Sequence, residues 1–127
     1  MITKSARETQ KVGQRLAQKI KNGGIVCLFG DLGAGKTTLV QGIARGLGIK
    51  QRITSPTFII MRQYGKLFHL DLYRLDDIKN LGIEDIWQDP SNILLIEWPE
   101  KIVHLLPKNR LEIKMKVLEN GHHEIVY

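Results

Sequence analysis

Two kinds of hydrophobic pattern alternate along the chain. Residues 24–29 and 92–96 are short, nearly unbroken apolar runs rich in strand-forming side chains, typical of strands buried on both faces of a parallel sheet. After the first run, apolar side chains recur at helical spacing up to the glycine-rich stop at residues 46–48. Buried strands that alternate with helices predict an α/β fold, with a mainly parallel sheet flanked by helices.

The two ends of the chain carry clear local signals. Ser5 followed by Glu8 is typical of a capping box, and apolar residues recur helically over 12–20, which predicts a first helix. Near the other end, apolar and polar residues alternate over 111–117, and residues 120–121, Asn-Gly, are typical of a hairpin turn. We therefore expect an N-terminal helix on the sheet and a C-terminal antiparallel hairpin.

Between the two apolar runs the patterns are weaker. Pro56 favours an extended conformation within the β-rich residues 53–60, and a turn leads into a predicted strand over 67–73. Residues 76–88 are polar with scattered apolar positions, which predicts one or two short surface helices. A further short helix is predicted over residues 102–106, after the second buried run.

Composition narrows the class of protein. The chain has 127 residues, 43% hydrophobic and 25% charged, as expected for one ordinary domain over residues 1–127. Its apolar stretches are far shorter than the roughly 20 residues of a membrane helix, and the N-terminus lacks an apolar export signal, which favours the cytoplasm. The single cysteine, Cys27, is predicted to be an inert core thiol. The net charge of +6 permits a nucleic-acid partner but does not require one.

Residues 30–37 carry the strongest chemical signal. They read Gly-Asp-Leu-Gly-Ala-Gly-Lys-Thr, fit the pattern G-x-x-x-x-G-K-[ST], and lie between a predicted strand and a predicted helix. In that setting backbone N–H groups and the helix N-terminus form an anion site. We expect Lys36 to contact the β- and γ-phosphates of a nucleotide and the Thr37 hydroxyl to bind Mg²⁺. The alternative is a glycine-rich turn that happens to carry Lys-Thr.

Two carboxylates are placed to complete such a site. Glu97 follows the second buried run, at the strand edge where α/β sites assemble, and could hold Mg²⁺ directly or through water. Asp71 lies near the end of the strand predicted over 67–73 and could order the attacking water or the metal's surroundings. The alternative is that Asp71 caps the next turn.

Other polar residues are weaker candidates. Thr54 or Thr57 could contact phosphate or Mg²⁺ as a switch segment, or be ordinary strand residues. Trp98 could stack on a ligand or a partner, or be a structural aromatic. Arg62 or Arg74 could neutralise transition-state charge, although solvated arginines are the default. The four histidines lack metal-ligand spacing and are predicted to be structural or exposed: His69, His104, His122 and His123.

Four sequence blocks together resemble a known family. They are residues 30–38, the Ser-Pro-Thr-Phe of 55–58, the His-Leu-Asp-Leu-Tyr-Arg-Leu of 69–75 and the Glu-Trp-Pro-Glu of 97–100. In this order and at these separations they resemble the bacterial TsaE (YjeE) proteins over essentially the whole chain. The resemblance implies a cytoplasmic P-loop NTPase that uses ATP and Mg²⁺.

The same resemblance implies a role and a set of site residues. It implies support of N6-threonylcarbamoyladenosine synthesis at position 37 of tRNAs, through binding to a TsaB–TsaD heterodimer that ATP hydrolysis resets, with tRNA engaged indirectly. Asp71, Glu97 and Lys36 are then the catalytic residues, Thr37 and Glu97 the metal ligands, and the Ser5 to Thr9 region borders the nucleotide. The expected nucleotide-binding residues are Leu32, Gly33, Ala34, Gly35, Lys36, Thr37, Thr38 and Thr57.

Two other functions fit parts of the sequence. A small-molecule P-loop kinase would need a lid and an acceptor pocket, for which the chain between Leu75 and Pro90 offers few residues. A nucleic-acid-binding module without turnover is favoured by the positive charge alone. A GTP-binding switch is disfavoured, because the chain has no Asn-Lys-x-Asp segment for guanine recognition.

Overall fold

A computed structural model describes residues 1–31, 33–53, 61–73 and 83–127. In chain order the elements are β1 (Ile2–Thr3), α1 (Ala6–Ile20), β2 (Gly24–Phe29), α2 (Lys36–Gly46), β3 (Met61–Tyr64), β4 (Leu67–Asp71), α3 (Ile83–Gln88), β5 (Ile93–Glu97), two 3₁₀ turns (Pro99–Lys101 and Val103–Leu105), β6 (Leu111–Val117) and β7 (His123–Val126). None of the helices in these ranges is long and apolar enough to cross a lipid bilayer.

The strands form one sheet in the order β1-β7-β6-β2-β5-β4-β3. The four central strands β6, β2, β5 and β4 run parallel, whereas the pairs at both edges are antiparallel. The predicted α/β class with a C-terminal antiparallel hairpin is therefore confirmed. The sheet is more mixed than the sequence predicted, because β6 of the hairpin pairs parallel with β2 and the β3–β4 hairpin forms the opposite edge.

Hydrophobic side chains pack on both faces of this sheet. In β2, Val26 and Leu28 face α1 and α2, while Ile25 and Cys27 face a second cluster that includes residues of α3 and the two residues that flank the second 3₁₀ turn. The strand is thus buried on both sides, as its unbroken apolar run predicts. Burial raises the pKa of the Cys27 thiol to about 11, which keeps it protonated and inert, as predicted.

The two long helices lie side by side on one face. The Ser5 hydroxyl accepts a hydrogen bond from the Glu8 N–H, which confirms the predicted cap, while the Glu8 carboxylate accepts from Lys4 N–H and not from Ser5 as a standard capping box has it. A Cβ on Gly13 or Gly42 would collide with the backbone of the neighbouring helix. Glycine at these positions therefore lets α1 and α2 approach closely.

Some of the weaker predictions are corrected or fall outside the described residues. The extended segment predicted over 53–60 lies outside them from residue 54 onward, and only the end of the helical prediction over 76–88 is described, as α3. Of the helix predicted over 102–106, only a single 3₁₀ turn forms, over Val103–Leu105, because Leu106 is extended and Pro107 follows directly. Strand β1 was not predicted, since two residues are too few for a periodic signal.

Strand register brings the predicted functional residues together. Glu97 of β5 pairs with Leu28 of β2 on one side and with Asp71 of β4 on the other. The carboxyl ends of these parallel strands meet at one edge of the sheet, next to the loop that leads from β2 into α2. Ligand sites of open α/β sheets form at this edge.

Candidate functional site

The loop between β2 and α2 folds back on itself through its glycines. Gly33 has φ +82° and Gly35 φ +95°, both in the left-handed region that glycine favours. At Gly33 a Cβ would have open space, so the backbone conformation alone favours glycine there. Leu32, predicted to contact a nucleotide, lies outside the described residues.

The N-terminus of α2 is left open toward this loop. Its first N–H groups have no acceptor within the helix, the N-cap Gly35 has no side chain to offer one, and the first turn contains no acidic residue. The helix dipole therefore presents a partial positive charge at Lys36, Thr37 and Thr38. An anion is the ligand that such an end binds best.

A cleft of about 380 Å³ opens in front of this helix end. The loop, α2, the ends of β4 and β5, and β7 supply its walls, which consist of Gly33, Gly35, Lys36, Thr37, Thr38, Asp71, Glu97, Trp98 and His123. All of these except Trp98 and His123, seven residues in total, are predicted site residues. Ala34 is buried beneath the loop, and its N–H donates to the Asp31 carbonyl at 3.1 Å. Thr57 lies outside the described residues.

Lys36 is buried at the base of the cleft, only 5% exposed. Its Nζ donates a hydrogen bond to the Gly30 carbonyl at 2.5 Å and lies 4.1 Å from the centre of the Trp98 ring. Burial lowers the pKa of Lys36, and the charges of Glu97 and Asp71 oppose that effect. The ammonium group is thus partly desolvated, with a carbonyl and an aromatic face as neighbours, and gains from a nearby anion.

Asp71 lies at the mouth of the cleft and also closes a turn. Its carboxylate accepts a hydrogen bond from the Tyr73 N–H at 3.0 Å, so the turn-capping alternative is observed. The same side chain lines the cleft beside Glu97. Capping thus fixes a carboxylate that remains accessible from the cleft.

Glu97 is held by a histidine that the sequence did not identify as its partner. His69 Nε2 lies 2.6 Å from Glu97 Oε2, and His69 is fully buried. His69 Nδ1 has no hydrogen-bond partner among the described residues. A histidine inside an apolar strand needs a buried polar partner. The sequence could therefore have indicated that His69 has such a partner, although not which residue it is. The hydrogen bond fixes one carboxylate oxygen of Glu97, which still lines the cleft.

Replacing His69 with leucine is expected to destabilise the protein by about 2–4 kcal/mol, because the Glu97 carboxylate would be left buried without its donor. Thermal unfolding without nucleotide should show a melting temperature lower by about 5–15 °C. The double variant His69→Leu/Glu97→Met removes both polar groups and should recover much of that loss. A single variant as stable as the unmodified protein would contradict the pairing.

Trp98 covers the cleft from the side of β5. Among the described residues it is the one non-glycine with positive φ, at +57°. Its ring lies over Lys36 and contacts the Tyr73 ring, with centroids 4.8 Å apart. Arg62, considered as a charge-neutralising residue, is exposed on β3 and is not among the cleft residues, and Arg74 and Thr54 lie outside the described part.

His123 also reaches the site without any signal in the sequence. It begins β7, and its Nδ1 lies 2.9 Å from the Ala34 carbonyl of the loop. The prediction that it is structural or exposed is incomplete, because the half-buried side chain lines the cleft. Its partner is 89 residues away, too far for any spacing pattern to indicate the contact.

Comparison with known proteins identifies the family to which the chain is similar. A family model described as "Threonylcarbamoyl adenosine biosynthesis protein TsaE" matches residues 3–125. The "tRNA threonylcarbamoyladenosine biosynthesis protein TsaE" of Synechocystis is 51% identical over 106 residues, covering 76% of this chain and 68% of the relative. The Bacillus subtilis protein of that name is 37% identical over 130 residues, covering 98% and 82%.

Structural comparison gives the same result. The crystal structure of Bacillus subtilis YdiB matches with a TM-score of 0.81 and 35% sequence identity, covering 98% of this chain and 80% of that one. The resemblance seen in the four sequence blocks is therefore confirmed, and the chain belongs to the TsaE family.

Proposed function

We propose that the protein is a Mg²⁺-dependent ATPase, acting as one domain over residues 1–127. One observation carries the proposal: the open N-terminus of α2, a desolvated lysine and two carboxylates converge on a single cleft. This is the set of groups that phosphoryl transfer requires, because the protein contributes mainly positioning and charge stabilisation.

The phosphates would lie at the loop. The N–H groups at the start of α2 and the Lys36 ammonium bind them, and Lys36 exchanges a neutral carbonyl partner for an anion. Trp98 then remains beside the bound phosphates as part of the cleft wall. Thr57 is proposed as a further contact from the segment outside the described residues.

The donor set fits magnesium. A hydroxyl at Thr37 and carboxylates at Glu97 and Asp71 line the same cleft, and all offer the oxygen atoms that Mg²⁺ prefers. No group of three His, Cys, Asp or Glu side chains that could hold a metal occurs in the described ranges. This agrees with an ion held by one or two protein ligands, phosphate oxygens and water. When bound, Mg²⁺ neutralises charge on the β- and γ-phosphates.

Each carboxylate has a proposed role. His69 holds one oxygen of Glu97, and the carboxylate serves as the metal-side acid with Thr37. Asp71, fixed by the Tyr73 N–H, orients the attacking water. Both side chains line the cleft in which these roles are proposed.

The biological role proposed is support of N6-threonylcarbamoyladenosine formation at position 37 of tRNA. The names of the relatives from Synechocystis and Bacillus subtilis give tRNA threonylcarbamoyladenosine biosynthesis as their role. We propose that the protein binds a TsaB–TsaD heterodimer in the cytoplasm, that ATP hydrolysis resets that complex between turnovers, and that tRNA is engaged through the complex.

The isolated protein is expected to hydrolyse ATP slowly and to be activated by its partners. Among the residues that the structure describes, no arginine lines the cleft, and an arginine that stabilises transition-state charge accelerates hydrolysis by about 10³-fold or more in other P-loop enzymes. Phosphate release should be measured with the protein alone, then with TsaB and TsaD, then with tRNA. We expect at least about tenfold stimulation by the partners. Equal rates in all three conditions would contradict the partner proposal.

A further inference from the structure

His123 connects the edge of the sheet to the phosphate-binding loop. In β7 it is paired with Val117 of β6 on one side and Thr3 of β1 on the other, so the backbone of His123 is fixed by two strands. Its Nδ1 lies 2.9 Å from the Ala34 carbonyl oxygen. Because a carbonyl only accepts hydrogen bonds, Nδ1 carries the proton and donates it, in the neutral and in the charged ring alike.

This bond differs from the others that hold the loop. The Gly30 carbonyl accepts from the Lys36 side chain, and the Asp31 carbonyl accepts from the Ala34 N–H. Both donors belong to the loop or to the helix that follows it. His123 comes from β7, which lies on the side of β6 away from β2, and so ties the loop to a separate part of the sheet.

The contact between His123 and the Ala34 carbonyl also fixes the direction of the Gly35 N–H, because both groups belong to one peptide bond. In a planar trans peptide the C=O and N–H groups point in opposite directions, and no cis peptide occurs among the described residues. Holding the Ala34 carbonyl toward His123 therefore directs the Gly35 N–H away from the histidine. The ring also supports Gly35 sterically, because a Cβ built there would lie 3.3 Å from His123 Nδ1.

We propose that His123 is a positioning residue for phosphate binding, which orients the Gly35 N–H before the nucleotide arrives. The proposal rests on the proposed function, since it takes the loop to bind the phosphates of ATP. A donor that is already oriented binds an anion more tightly, because less freedom is lost on binding.

The test compares ATP affinities by calorimetry in the presence of Mg²⁺. His123→Ala should bind ATP about 3- to 10-fold more weakly, the loss expected for one orienting hydrogen bond. His123→Asn places an amide N–H close to the position of Nδ1 and should bind within about twofold of the unmodified protein. The matched control is His122→Ala, which removes the adjacent histidine, a residue that is not among those lining the cleft.

A second readout needs no nucleotide. Amide hydrogen exchange should become faster at Gly35 in His123→Ala, with unchanged protection in β2 and β5, because only the loop loses an anchor. A general loss of stability would raise exchange throughout the sheet instead. His123→Leu keeps bulk against Gly35 without a donor, and replaces the alanine variant if that one does not fold.

The outcomes separate this inference from the proposed function. Unchanged ATP affinity and exchange in both His123→Ala and His123→Leu would overturn the inference alone, provided that Lys36→Ala still abolishes binding. Equal losses in His123→Asn and His123→Ala would also overturn it, because packing and not the hydrogen bond would then be responsible. Failure of the unmodified protein to bind ATP would overturn the inference together with the proposed function.

Discussion

Lys36→Ala is expected to abolish ATP binding while leaving the fold intact. Lys36 is 5% exposed at the base of the cleft, and the partners of its ammonium group are a backbone carbonyl and the Trp98 ring. A triphosphate is therefore a much stronger partner than any it now has. Removing the charge should weaken binding by at least about 100-fold, since charge-assisted contacts in a desolvated site are the strongest that the cleft offers.

Calorimetric titration with ATP and Mg²⁺ measures this loss. The matched control is Lys21→Ala, which removes an exposed lysine at the C-terminal end of α1, whose affinity should not change. Unchanged ATP affinity in Lys36→Ala would count decisively against the assignment of the loop.

Folding of the Lys36 variant can be checked separately. Burial lowers the pKa of Lys36, so the folded protein carries an unfavourable charge below that pKa. The variant loses the hydrogen bond from Lys36 to Gly30, which destabilises it, but it no longer has a buried charge, which stabilises it. Its free energy of unfolding without nucleotide should therefore lie within about 1 kcal/mol of that of the unmodified protein. The unfolded chain binds more protons than the folded one from the lowered pKa up to 10.5, so the unmodified protein should gain stability relative to the variant across that window.

Glu97→Gln is expected to lower ATP hydrolysis in the presence of TsaB and TsaD by about 100- to 1000-fold, with ATP affinity changed only a few-fold. Glutamine keeps the size of the side chain and can still accept the hydrogen bond from His69. It lacks the negative charge that the proposed metal site needs. The expected loss is therefore in turnover and not in binding of the nucleotide.

Steady-state phosphate release tests this prediction alongside a matched variant. Glu100→Gln changes an exposed glutamate three residues further on and should leave the rate unchanged. Thermal unfolding of Glu97→Gln should remain close to that of the unmodified protein, because the glutamine oxygen can still accept the buried hydrogen bond from His69. Rapid turnover of the isolated protein that persists in Glu97→Ala would refute the assigned role of Glu97.

The elements next to the site were predictable because their signals are local. The apolar run of β2, the stripe of α2 and the glycine spacing between them lie within 25 consecutive residues, 24–48, and each depends on its nearest neighbours in the chain. The same holds for the capped start of α1 and the turn at residues 120–121. That local pattern alone predicted that Lys36 and Thr37 lie at the start of α2.

Contacts across the sheet were not predictable from spacing. The buried pair of His69 and Glu97 joins residues 28 positions apart, and the contact of His123 with Ala34 spans 89. Which side chains meet depends on strand order and register, and a shift of one residue would turn a strand's side chains to the other face. Strand β1, only two residues long, likewise depends on its pairing with β7.

By itself, the sequence determined the glycine-rich loop of residues 30–35, its flanking strand and helix, and the two acidic strand ends, because each rests on short-range backbone preferences and residue type. Only the tertiary structure decided that Asp71 and Glu97 are neighbours, that a histidine fixes Glu97, and that β7 anchors the loop. The physical reason is that the hydrogen bonds between strands bring together segments that are remote along the chain, and side-chain partnerships at the sheet edge follow from that pairing.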